Sequence, residues 1–171
     1  MPNRLVNCQA AVVDITPYEE QLNFTVQSIK NFSRNCEVER SAAILHGVLL
    51  TFDEAKKIRL HIEYSLSDAN GKGRFDFSIT WDEDILCVAE VKKEDIEYGL
   101  ITTGDKWYFS VVTTDNKIGT TDDPLYLHLD SNEEILKEDI SALFKMVLSI
   151  LLYKIKSIEE PQTKFRELIT F

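Results

Sequence analysis

The sequence feature that most constrains the fold is the short apolar run from Ile85 to Val91 (ILCVAEV), in which Glu90 is the only charged residue. A short apolar run between turn residues is typical of a central strand that is covered on both faces. A charge at the end of such a strand is costly unless it has a partner. The run therefore predicts a buried strand with a polar site at its end, where Glu90 and Lys92 project to one face.

Two alternating segments before this run predict neighbouring strands. Residues 57–66 alternate apolar and polar side chains, and residues 68–73 contain the aspartate, asparagine and glycine typical of a turn. Alternation resumes over residues 75–80, with Asp76 on the face opposite the phenylalanines. If the acidic turn at 82–84 closes a second hairpin, Asp76 lies on the strand that pairs with the buried run.

Helices are expected on both sides of these strands along the chain. Helical stripes cover residues 16–31 and 36–55, and a long final helix follows Ser131-Asn-Glu-Glu and continues to about residue 157. Further strands are predicted at 106–112 and 124–129, separated by a polar loop. This order predicts a mixed α/β fold, a central sheet flanked by helices, in one domain over residues 1–171 with its core at about 36–157.

The connection after the buried strand is unusually short. Only residues 93–103 join it to the strand at 106–112, and residues 93–99 predict one or two helical turns that end at Gly99. A parallel crossover with its helix needs roughly a dozen residues or more. Two alternatives are therefore open: the later strand pairs differently, or the sheet is incomplete and lacks a strand.

The composition is that of an acidic chain able to form a core. Of its 171 residues 44% are hydrophobic and 28% charged, and its formal net charge is −10. Broad binding to phosphate backbones requires clustered lysine and arginine, which this balance disfavours. Any contact with nucleic acid is therefore expected to be local or to depend on a metal.

The cysteines and the N-terminus indicate an intracellular protein, cytoplasmic or nuclear. Cys8, Cys36 and Cys87 have no CxxC spacing, which disfavours a structural zinc site, and Cys87 is expected to be a packed thiol. The first residues lack the apolar stretch of a signal peptide. No segment reaches the roughly 18 apolar residues that span a bilayer, so no membrane association is expected.

The acids in the two strands suggest a divalent-metal site. Asp76 and Glu90 would supply carboxylate oxygens, the ligands that Mg²⁺ and Mn²⁺ prefer. A metal there would polarise a phosphodiester, and Lys92 would orient the attacking water or offset developing charge. Glu37 or Glu39, at a helix start, is placed to add a third acid. The simpler alternative is a solvated ion pair at the edge of the sheet.

Four segments in order resemble the PD-(D/E)XK nuclease superfamily, and more closely the nuclease-like domain of fungal crinkler-type effector relatives. They are NCEVER at a helix start, GKGRFD before the hairpin strand, EVKK at the end of the buried strand, and the later TTGDKWYF. The resemblance implies a restriction-endonuclease-like core with Glu37, rather than Glu39, as the helix acid. It also implies that Glu37, Asp76 and Glu90 ligate Mg²⁺ or Mn²⁺, and that Asp76, Glu90 and Lys92 are catalytic.

Two functions follow as hypotheses. The first is a metal-dependent nuclease that hydrolyses phosphodiester bonds, with nucleic acid as its partner and DNA ranked before RNA. The second is a nuclease-derived interaction domain without catalysis, favoured by the abbreviated connection and the acidic surface. His46, His61 and His128 are scattered and are expected to be structural or surface residues. Trp81 and Trp107 can stack on bases, but their strand patterns favour core or edge positions.

Overall fold

The computed structural model describes residues 13–33, 35–53, 57–68, 71–91, 100–112, 118–120 and 123–159. A 3₁₀ turn, Thr16–Tyr18, leads into the first helix. The helices are α1 (Glu19–Asn31), α2 (Glu37–Leu49) and α3 (Glu133–Glu159). The strands are β1 (Ile58–Asp68), β2 (Gly71–Trp81), β3 (Asp84–Val91), β4 (Leu100–Thr102), β5 (Lys106–Val112), β6 (Ile118–Thr120) and β7 (Leu125–Tyr126).

The strands form one mixed sheet in the order β1-β2-β3-β4-β5-β6, and β7 also pairs with β5. The pair β3–β4 is parallel, and the other pairs among these strands are antiparallel. Helix α2 contacts β1 and β3, while α3 contacts β3 and β7. The predicted α/β class, a mixed central sheet with flanking helices, is confirmed. In the described residues no helix has the length and apolarity needed to cross a membrane.

Of the two alternatives for the short connection, the structure shows that the later strand pairs differently: β5 pairs antiparallel with β4, and β4, which was not predicted from the sequence, pairs parallel with β3. Residues 92–99, eight in all, join the two strands. Leu100, the first residue of β4, pairs with Ala89, which is only two residues before the end of β3. At about 3.3 Å per residue, the chain has to return only a short way before pairing again. The predicted helical turns at 93–99 lie outside the described residues.

Three other predicted boundaries are wrong. Helix α2 ends at Leu49 rather than Ala55, because Thr51 and Phe52 donate to the carbonyls of Val48 and Leu49 in tight i→i−3 turns. The loop at 113–123 contains the strand β6, and the strand expected at 124–129 is limited to β7. Such short strands depend on pairing with β5, because two or three residues are too few for a visible alternation.

The long final helix was predicted correctly, and its start has a clear physical cause. Asn132 accepts a hydrogen bond from the backbone N–H of Ile135 at 3.0 Å, which is the standard N-cap contact. Glu133 and Glu134 follow in the first turn, where acids favour the positive end of the helix dipole.

The core is one cluster between the helices and one face of the sheet. Its fully buried side chains include Ile44, Leu45 and Val48 of α2, Ile140, Leu143, Phe144 and Leu151 of α3, and Phe77, Leu100 and Trp107 of the sheet. Cys87 is buried in the same cluster, and burial raises the pKa of its thiol to about 12. The expectation of a packed thiol is confirmed.

At Gly47, α2 approaches its neighbouring helices closely. A β-carbon built there would lie 2.2 Å from Thr25 Oγ1 in α1 and 2.9 Å from Cζ of Phe144 in α3. Helices α1, α2 and α3 contact one another around this point. The absent side chain therefore allows the three helices to pack closely.

Replacing Gly47 with alanine is expected to lower the free energy of unfolding by about 1–3 kcal/mol, the usual cost of overpacking. Alanine's better helix propensity, worth up to about 1 kcal/mol, offsets only part of this cost. Urea unfolding would measure the change. The double variant Thr25→Ala/Gly47→Ala removes the nearest obstacle, so it should lose less than the sum of the two single changes. A Gly47→Ala protein as stable as the original would contradict the packing.

Candidate functional site

The candidate site begins with the register of β2 and β3. Phe77 lies opposite Ala89 and Ile79 lies opposite Cys87 in this antiparallel pair. The pairing ends at Phe77 opposite Ala89, and Asp76 and Glu90 are the residues that directly follow this last pair on the two strands. The hairpin thus brings the backbones of the two predicted acids together, as the turn at 82–84 suggested.

Asp76 lies on the face of β2 opposite the core. Its neighbour Phe77 is fully buried among the core residues, and alternation along the strand directs Asp76 to the other side. The side chain of Asp76 is half-buried. The side chain of Glu90 and the whole of Lys92 lie outside the described residues, so these two predicted site residues are located only by sequence and, for Glu90, by its backbone.

Glu37 is brought to the same end of the sheet by a close backbone contact. It is the first residue of α2 and is half-buried, whereas Glu39 is exposed. Gly104, in the turn after β4, lies so close that a β-carbon on it would be 2.8 Å from the Cα of Glu37. Because β3 and β4 are parallel, with Val91 beside Thr102, this turn lies at the end of the sheet where β3 finishes.

Gly104 is held in that position by its own backbone. Its φ of +83° belongs to the left-handed region, and its N–H donates to the Oγ1 of buried Thr102 at 2.8 Å. Thr103 Oγ1 in turn donates to a carboxylate oxygen of Asp105 at 2.7 Å. The turn is therefore shaped to accept the start of α2.

Arg40 fixes the chain just before α2. Its side chain is only 3% exposed, and its Nη1 donates to the carbonyl of Ser33 at 2.8 Å. A groove of about 580 Å³ opens beside it, and its lining includes Glu37, Arg40, Thr103 and Asp105. Both charged residues of the E-x-x-R helix start therefore line this groove, and the buried Arg40 also holds the chain before the helix.

Two residues near Asp76 were not singled out from the sequence. Glu63, in β1, has a φ of +55°, and its Oε1 lies 3.1 Å from Nη2 of Arg74 in β2. Arg74 and Asp76 are two residues apart on one strand and therefore share a face. The signal in the sequence was weak, since Glu63 occupied an ordinary polar position in an alternating strand.

The other candidate residues have structural or surface positions. His61 shares a hydrogen bond of 2.9 Å with Thr80, His46 is exposed, and Nδ1 of the exposed His128 donates to Oδ2 of Asp139 at 3.0 Å. Trp107 is fully buried, which excludes base stacking by its ring. Trp81 is half-buried against the core.

Among the described side chains, no three histidine, cysteine, aspartate or glutamate residues are grouped closely enough to hold a metal ion. Of the predicted set of Glu37, Asp76 and Glu90, the side chain of Glu90 lies outside the described residues. What the structure establishes is that Asp76 and Glu90 directly follow the last pair of β2 and β3, and that the helix of the third acid reaches the same end of the sheet.

Comparisons with known proteins add no family assignment: no family model matches the chain, and no curated protein or solved structure matches it significantly.

Proposed function

We propose that this protein is a PD-(D/E)XK-like nuclease domain that hydrolyses phosphodiester bonds of nucleic acid with the help of Mg²⁺ or Mn²⁺. The observation that carries the proposal is that Asp76 and Glu90 directly follow the last pair, Phe77 and Ala89, at one end of β2 and β3. Two carboxylates on adjacent strands, with a lysine two residues after the second, have the composition that such chemistry needs. DNA is proposed as the substrate in preference to RNA.

The residue types of this set would suit a hard divalent cation. Asp76 and Glu90 would provide carboxylate oxygens from neighbouring strands, and Glu37 begins a helix that contacts the turn after β4. Mg²⁺ and Mn²⁺ favour oxygen ligands of this kind. When bound, such a metal would polarise the phosphodiester and stabilise negative charge that develops on its oxygens.

The remaining roles belong to residues of the chain itself. Lys92, two residues after Glu90 in the sequence, would supply a positive charge and would orient the attacking water or offset developing charge. The buried guanidinium of Arg40 holds the loop before α2 and so positions Glu37 rather than the substrate. An acidic chain with net charge −10 then depends on the metal and a few local cations to bind a polyanion.

The test is cleavage of DNA and RNA in the presence of Mg²⁺ or Mn²⁺ by the original protein and by Asp76→Asn and Lys92→Ala variants. Each change is expected to reduce the cleavage rate by about 100-fold or more, which corresponds to about 2.7 kcal/mol of transition-state stabilisation. Asp84→Asn is the matched control, because Asp84 is an exposed acid at the opposite end of β3. Cleavage that survives in both site variants would remove the proposal.

A second candidate is a nuclease-derived interaction domain without catalysis. It is favoured by the connection of only eight residues between β3 and β4, which leaves little room for a helix beside the phosphate. Calorimetric titration with Mn²⁺ separates the two candidates. Binding that is lost in Asp76→Asn supports the nuclease, and an absence of both binding and cleavage supports the interaction domain.

A further inference from the structure

The pairing of β1 with β2 is interrupted beside Asp76. The ladder runs from Ile58 opposite Trp81 to Ile62 opposite Phe77, and it resumes at Tyr64 opposite Phe75. The position skipped is the one where Glu63 would face Asp76. Glu63 there has a φ of +55°, in the left-handed region that residues other than glycine seldom adopt.

A left-handed residue inside a strand is strained, and such strain is concentrated at functional sites. Local irregularities in strands also redirect side chains next to active sites. Here the irregularity lies at the position on β1 that would pair with Asp76, and β1 is the edge strand of the sheet. Glu63 uses this position to contact Arg74, with Oε1 and Nη2 3.1 Å apart.

Arg74 is well placed to reach a substrate bound at Asp76. The two residues share one face of β2, separated by about 7 Å along the strand. The side chains of Arg74 and Glu63 are each 68% exposed. An exposed ion pair of this kind contributes little to stability, so the guanidinium can exchange the carboxylate of Glu63 for another anion at small cost.

We infer that Arg74 binds a backbone phosphate of the nucleic acid beside the carboxylates, and that Glu63 holds and neutralises Arg74 until the substrate displaces it. This inference rests on the proposed nuclease function and adds a substrate-binding residue to it. Arginine suits the role because its planar guanidinium forms two parallel hydrogen bonds to a phosphate. Arg74 would thus supply a local cation that the acidic chain otherwise has in short supply.

The experiment measures kcat and KM for cleavage of a DNA duplex with Mn²⁺ by the Arg74→Ala and Glu63→Gln variants. Arg74→Ala is expected to raise KM about 10-fold or more, because it removes a charge-assisted contact. It should also reduce the salt dependence of binding by about one phosphate contact. Glu63→Gln is expected to lower KM, since it releases Arg74 from its partner.

Arg59→Ala is the matched control. Arg59 is an exposed arginine on β1 that pairs with Thr80, four residues along β2 from Asp76. The Arg59→Ala variant removes one positive charge from the same pair of strands, and its KM should remain near that of the original protein. Equal changes in Arg59→Ala and Arg74→Ala would show a general effect of charge and would overturn the inference.

The opposite directions expected for Arg74→Ala and Glu63→Gln distinguish substrate binding from support of the hairpin. If the pair only stabilises the hairpin, both variants should lower the urea midpoint and leave KM unchanged, which would overturn the inference. If the original protein cleaves DNA but Arg74→Ala has the same KM, the inference fails while the nuclease proposal stands. If the original protein neither binds Mn²⁺ nor cleaves, both fail together.

Discussion

Replacing Trp107 with alanine is expected to lower the free energy of unfolding by about 3–5 kcal/mol, the range for deleting a large buried aromatic side chain. Trp107 is 0% exposed and lies in β5 between Thr102 of β4 and Leu125 of β7. Its ring is the largest fully buried side chain in the core. A cavity of that size cannot be refilled by neighbours already packed against three strands.

The matched variant Trp107→Phe separates the effect of losing a packed ring from the effect of removing the indole N–H. No described residue accepts a hydrogen bond from the indole Nε1 of Trp107. Phenylalanine keeps an aromatic ring in the core and removes this buried N–H, whose unmet hydrogen bond costs about 1–3 kcal/mol. We therefore expect Trp107→Phe to lose far less stability than Trp107→Ala in urea unfolding. Equal losses in the two variants would mean that the N–H is satisfied and necessary.

Replacing Gly104 with alanine is expected to have the second largest effect, because it disturbs the fold and the candidate site together. The left-handed φ of +83° disfavours alanine by about 1–2 kcal/mol. Its β-carbon would also lie 2.8 Å from Cα and 3.2 Å from the carbonyl oxygen of Glu37, where backbone atoms cannot easily move. Overpacking of this kind adds about 1–3 kcal/mol.

The displaced element would be the start of α2, so a Mn²⁺ site that includes Glu37 should weaken as well. Urea unfolding and Mn²⁺ calorimetry on Gly104→Ala measure the two consequences separately. Gly104→Asn is the control for backbone strain, since asparagine tolerates the left-handed region but still carries a β-carbon. If the collision with Glu37 matters more than the backbone strain, both variants should lose similar amounts of stability and of Mn²⁺ affinity. An asparagine variant as stable as the original protein would show that only strain matters.

The sequence was most informative where one element carries its own pattern. The stripe of α3, with Leu143, Phe144 and Leu151 among its buried residues, was visible because a long helix repeats its apolar positions several times. The β2–β3 hairpin was equally visible, since alternation and an acidic turn together indicate which strands pair. The sequence alone therefore predicts that this hairpin brings Asp76 near Glu90.

The site's other contacts could not be read from local patterns. Neither the approach of Glu37 to Gly104 nor the contact of Glu63 with Arg74 produces a periodic pattern in the sequence. Both depend on how separate elements lie against each other, and each involves a residue whose backbone is unusual. A glycine in a turn and a glutamate in an alternating strand have ordinary sequence contexts, so their special conformations are set by the packing around them.

By itself, therefore, the sequence determined the α/β class, the long helix and the hairpin that brings Asp76 and Glu90 to one end of β2 and β3, because each is encoded by residues close together in the chain. Only the tertiary structure decided that β4 pairs parallel with β3 through a short connection, that β6 and β7 complete the pairing of β5, and that α2 starts against the turn at Gly104. The physical reason is that two- and three-residue strands and close backbone contacts are stabilised by their partners, and those partners lie far away in the chain.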